Sequence, residues 1–141
     1  MNIKAILNEQ FYAIKSIENE LNVIFTLLSE GNYDELVILE RYKIMLLKYK
    51  GNYIVLKHFL DFVRTITSEK VGSSFDLEDI QTSLEALISI NKDDLDVVTE
   101  YFYFTDAVLA DEQKASEILK KIHTILSDKK NELDSYVNAY N

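Results

Sequence analysis

Not one proline interrupts the 141 residues, and glycine stands only at positions 31, 51 and 72. Hairpins and sandwiches need such residues at most of their turns, so a chain this poor in them is restricted to helices with few places to reverse. The apolar residues have the matching period. Leu7, Ile14, Leu21 and Leu28 repeat every seven residues and are joined by Ile3, Ile17 and Ile24, whereas Lys4, Lys15, Asn19 and Asn22 fall on other faces. The spacing predicts one amphipathic helix over about residues 2–29. It ends at Ser29-Glu30-Gly31-Asn32, where glycine is able to take the left-handed conformation that closes many helices.

Beyond that reversal, Leu39, Tyr42, Leu46, Tyr49, Tyr53, Leu56, Leu60 and Val63 alternate spacings of three and four without losing phase, although Gly51-Asn52 lies among them. The unbroken phase predicts a single helix from about Asp34 to Glu69, with Gly51 tolerated at a cost of roughly 1 kcal/mol against alanine. Val71-Gly72-Ser73-Ser74-Phe75 reads as a linker. Asp76 suits a cap for a short helix over about 77–90, and Asp93 suits a cap for the next. There Val97, Tyr101, Phe104 and Val108 form a stripe that resumes at Ala115, Ile118, Ile122 and Ile125, and the pattern leaves open whether Asp111 to Lys114 breaks it. The expected fold is all-α: an elongated helical bundle built on a long antiparallel helical hairpin. A single domain over 1–141 would hold the hairpin in 1–70 and the further helices in 76–141.

Composition narrows the function classes. The chain suits one domain with one core, being 48% hydrophobic. It has no cysteine, which excludes disulfides and thiolate metal sites and fits a reducing, cytoplasmic setting. The stretch Met1 to Phe11 lacks the continuous apolar core of a signal peptide, and charged residues recur too often for a membrane span. The net charge of -9 is uneven: residues 1–75 hold nine acidic and nine basic side chains, residues 76–141 fifteen acidic and six basic. Such a surface repels phosphate backbones and anionic lipid, so nucleic acid is disfavoured and protein partners are expected. The pattern leaves the oligomeric state open.

Chemistry-bearing constellations are scarce. His58 and His123 stand in different halves without a second histidine or carboxylate at the spacing of a helical zinc motif, so no metal site and no cofactor is expected. Asp93, Asp94 and Asp96 lack the glycine and distal glutamate of a calcium loop. There is no phosphate loop and no nucleophile elbow, and no catalytic residue is assigned. The start Gly31-Asn32-Tyr33-Asp34-Glu35-Leu36 looks like part of a tetratricopeptide repeat, but it has no second copy at the required distance.

Tyr101-Phe102-Tyr103-Phe104 is more informative, because four consecutive aromatics project all round a helix. They describe either a central core helix or a docking surface in which Tyr101, Phe102 and Phe104 meet a partner helix. The last segment, residues 112–141, carries the stripe Ile118, Leu119, Ile122, Ile125, Leu126, Leu133, Tyr136 and Tyr140. That stripe suits either an ordinary last helix or a partner-binding arm that parts from the body at Asp111 to Lys114.

The segment from Glu20 to Lys50 resembles the N-terminal hairpin of flagellar type III export chaperones of the FlgN and FliT kind. In that family a leucine-rich helix reaches an acidic turn and a second helix reads Leu-x-x-Leu-x-x-x-Lys/Arg-x-x-Leu-Leu, which Leu36, Leu39, Lys43, Leu46 and Leu47 fit. Length favours the FlgN-like subtype, although the glycine-rich tail of that pattern is missing. The ending Asn138-Ala139-Tyr140 is similar to the tyrosine that in the family contacts the export gate. The resemblance implies a non-enzymatic chaperone that binds the helical ends of hook-filament junction or filament-cap proteins before secretion. The alternative is a helical immunity or regulatory protein working through a fixed surface.

Overall fold

A computed structural model describes residues 2–141; Met1 lies outside the described residues. Among these the chain is all-α, with seven α-helices, one π-helical turn and no strand. The helices are α1 (Ile3–Ser29), α2 (Glu35–Lys48), α3 (Tyr53–Val63), α4 (Ser68–Ser74), α5 (Leu77–Ile90), α6 (Leu95–Tyr103) and α7 (Glu112–Tyr140), with the π turn Phe104–Val108 directly after α6. Two compact units divide within α3, Met1–Phe59 and Leu60–Asn141.

Local chemistry sets most helix ends. Gly31 takes φ +72° after α1, and Asp34 opens α2 by accepting from the Leu36 amide at 2.9 Å. Asp76 does the same for α5 through the Glu78 amide. The cap of α6 is Asp94 rather than the expected Asp93, since its Oδ1 accepts from both the Asp96 and Val97 amides and satisfies two first-turn donors.

The expected continuous helix over 34–69 is instead α2, α3 and α4. Gly51 adopts φ +76°, Tyr49 closes α2, and Asn52 Oδ1 accepts from the Val55 amide to start α3. Glycine followed by asparagine is a stop and a cap, and this local signal outweighs the continuous three-four spacing across it. The buried face is accordingly reset. Ile38, Leu39, Tyr42 and Met45 are buried before the break and Val55, Phe59 and Leu60 after it, while Tyr49 and Tyr53 are half-buried. A second break follows Val63, and Thr67 caps α4. The expected linker Val71 to Phe75 is mostly helical: Val71 is fully buried and anchors α4.

In the first unit α1 packs against α2. Ser16 and Tyr49 hydroxyls are 2.6 Å apart, Lys48 Nζ reaches Glu20 Oε1 at 3.3 Å, and the Tyr49 hydroxyl donates to Glu20 Oε2. The Tyr49 and Glu20 groups hold the Lys48 ammonium above the usual lysine value. Ile17, Leu21, Ile24, Ile38, Leu39 and Tyr42 are buried here, with the rings of Tyr42 and Phe59 5.9 Å apart. Each such buried side chain stabilises the unit by roughly 1.5–3 kcal/mol.

Candidate partner-binding surface

In the second unit α5, α6 and the start of α7 pack around Leu84, Val97, Val98, Phe104, Ala115 and Ile118. The aromatic run answers the question its spacing posed. Tyr101 and Phe104 turn inward and are buried, Phe102 is half-buried, and Tyr103 is exposed beneath the Arg64 guanidinium, 4.2 Å from its ring centroid. Arg64 is itself held by Asp61 at 2.6 Å, so the ring carries a fixed cation on its face. The Tyr101 and Phe104 rings therefore pack inside the unit as core and are not offered on its surface as docking residues would be.

The Tyr101 hydroxyl emerges at the edge of this core. It donates to Glu85 Oε1 at 2.7 Å, and Gln81 Nε2 and Lys114 Nζ donate to the same oxygen at 3.1 and 2.9 Å. One carboxylate oxygen thus ties α5, α6 and α7. Its hydrogen bonds, from Tyr101 first, then Lys114 and Gln81, hold the Glu85 carboxyl down at about 2. The same partners, Tyr101 before Glu85, push the Lys114 ammonium up, and burial raises the Tyr101 phenol.

A π turn ends this helix run. The Leu109 amide reaches back to the Phe104 carbonyl, the wider i to i−5 closure, and Ala110 takes φ +53° before Asp111 caps α7. The sequence stripe thus crosses a real break. Beyond it α7 behaves as two parts. Ala115, Ile118 and Ile122 are buried and Ile125 is half-buried, so the expected arm does not begin at residue 112. Ile118 and Ile122 belong to the core because they face it on successive turns. Leu119, one position round from Ile118, is already exposed.

Every residue from Leu126 to Asn141 is exposed, although the stretch keeps an apolar stripe of Leu126, Leu133, Tyr136, Val137 and Tyr140. Lys129 to Glu132 and Lys130 to Asp134 pairs flank it at one-turn spacing and support the helix locally. Five of the expected contact residues, Leu119, Leu126, Leu133, Tyr136 and Tyr140, are thus open to a partner, with Phe102 and Ile125 at the margin.

No family model, curated protein or solved structure matches this chain. Among the described residues no helix is long and apolar enough to cross a membrane, and no group of three potential ligands could hold a metal ion.

An exposed surface that the sequence stripe does not separate from the core lies on α1. Ile17, Leu21 and Ile24 are buried, but Ile3, Leu7, Phe11 and Ile14, in the preceding turns, are all more than half exposed. They run into an apolar groove of about 560 Å³ lined by Ile14, Leu21, Phe25, Ile54 and His58, in which the Phe25 and His58 rings meet edge to face. Periodicity shows that this face is apolar; only the tertiary structure shows that its first half is exposed.

Proposed function

We propose that the chain is a cytoplasmic export chaperone of the flagellar FlgN and FliT kind, acting through a surface rather than through catalysis. The second half of α7 lays its apolar stripe against the amphipathic helical end of a hook-filament junction or filament-cap protein and keeps that client unassembled. The observation that carries this reading is the stretch from Leu126 to Asn141, helical to Tyr140, apolar on one face and exposed throughout. Helix-on-helix capture needs such a face, with anchors three, four and seven residues apart. Leu126 and Leu133 stand seven residues apart, and Tyr136 and Val137 follow Leu133 at three and four. The hairpin motif of Leu36, Leu39, Lys43, Leu46 and Leu47 supports this reading, in which Tyr140, 90% exposed, is the residue that an export gate reads.

The test is titration of the purified chain with peptides copying the terminal helices of the hook-associated proteins encoded in the same genome. Binding that Leu133→Asp with Tyr136→Asp abolishes, at unchanged helical circular dichroism, supports the proposal. Failure of every such peptide to bind, or binding indifferent to the double substitution, overturns it. Tyr140→Ala is expected to retain client capture and lose delivery to the gate.

A further inference from the structure

We propose that the open half of α1 is a self-association surface, on which a second copy of this chain lays its own α1 in the antiparallel sense. The inference is independent of the client reading, since it uses the other unit and a different face.

The seam is regular. Ile3, Leu7, Gln10, Ile14, Ile17, Leu21, Ile24 and Leu28 alternate spacings of four and three without a slip, a spacing that lets one helix pair lengthwise with another. Own-chain packing buries only Ile17, Leu21 and Ile24 deeply. Ile3 is 69% exposed, Leu7 60% and Ile14 54%. These three, with Ile6 and Phe11, form a run of exposed apolar side chains over successive turns of one helix, unlike the singly scattered apolar residues of an ordinary surface.

Symmetry and charge select the occupant. A two-fold interface requires that when residue i meets j of the other copy, j meets i. Placing Phe11 of each copy side by side in antiparallel helices satisfies this with the charges present. Lys4 and Glu18 both stand seven residues from Phe11, on either side, so each Lys4 comes level with Glu18 of the other copy, twice per dimer. Among the described residues Glu18 pairs with Lys15 of the same helix at 2.9 Å, and both side chains are exposed. The same register brings Leu7 within one residue of Ile14 of the other copy. It also carries Ile3 to the level of Asn19, at the groove that Leu21, Phe25 and Ile54 line. The apolar seam supplies association and the charge pair supplies direction.

Sedimentation equilibrium or light scattering on the full chain across a concentration series tests this. The expected result is a dimer near twice the 16.4 kDa chain mass. Leu7→Glu is expected to give a monomer with unchanged helical content, because the residue is exposed and supports no core. Lys4→Glu and Glu18→Lys are each expected to weaken the dimer by roughly fivefold, and the two together to restore it, as exposed ion pairs of modest strength allow. A monomer at all concentrations overturns the proposal, as does a dimer that survives Leu7→Glu but is lost with Leu133→Glu. Failure of the double charge exchange to restore association overturns the antiparallel register.

Discussion

The Tyr101 hydroxyl donates to Glu85 Oε1 at 2.7 Å, and because Tyr101 is buried in α6 while Glu85 stands on the face of α5, this bond fixes how the two helices meet. Lys114 brings α7 to the same oxygen. Tyr101→Phe keeps the ring and removes the bond, so a loss of about 1 kcal/mol is expected in urea denaturation. Tyr101→Ala also empties the core and is expected to cost about 3–5 kcal/mol, in line with aromatic truncations elsewhere.

The same cluster makes part of the stability depend on acid. Glu85 is held at about 2 against an ordinary 4.5, so its folded value lies below its unfolded one. Its contribution is complete above about pH 4.5 and is lost as the pH falls towards 2. The side chain is 48% exposed, which with solvent screening limits the effect to ~1 kcal/mol or less. Thermal melts of the wild type and Glu85→Gln are expected to differ at pH 6 and to converge near pH 2. An undiminished difference at pH 2 would show that the carboxylate charge is not what Glu85 contributes.

Gly51 and Gly72 are expected to respond oppositely to alanine. A Cβ meets nothing within 4 Å at either site, so backbone conformation alone decides. At Gly51, φ +76° penalises any L side chain and Gly51→Ala is expected to lose about 1–2 kcal/mol. Gly72 lies within α4 without a positive φ, and Gly72→Ala is expected to gain up to ~1 kcal/mol. Melting temperatures of the two variants check the pair; a stabilised Gly51→Ala would mean that residues 34–63 prefer one continuous helix.

Adjacent residues of α7 are expected to separate core from surface. Ile118→Ala removes a buried side chain and is expected to cost about 2–4 kcal/mol, whereas Leu119→Ala, at an exposed position, is expected to stay below ~1 kcal/mol. Chemical denaturation reads both, and equal losses would place Leu119 against a neighbour.

Truncation marks where the arm begins. Removing residues 126–141 takes only exposed side chains and is expected to leave the melting transition nearly unchanged. Removing 112–141 also takes Ala115, Ile118 and Ile122 and is expected to unfold the second unit. Circular dichroism melts of the two truncated chains distinguish these cases. A collapse with the shorter truncation would show that the end of α7 supports the core.

Much of this molecule was legible without coordinates wherever the cause is local. The lack of proline and the rarity of glycine dictated helices, Gly31 marked the end of α1, and the carboxylates of Asp34 and Asp76 stood ready to cap unsatisfied amides within the next turn. Gly51-Asn52 carried a signal of the same kind, and the phase of Leu46, Tyr49, Tyr53 and Leu56 around it concealed it. Tertiary structure alone decided which parts of each stripe are covered. Ile3, Leu7 and Ile14 repeat the spacing of Ile17, Leu21 and Ile24, and Leu133 and Tyr140 continue that of Ile118 and Ile122, yet one set is open and the other buried. Periodicity determines which face of a helix is apolar, because that depends on 100° per residue along a single segment. Burial depends on whether another segment arrives to cover that face, a property of contacts distant in sequence that no local pattern contains.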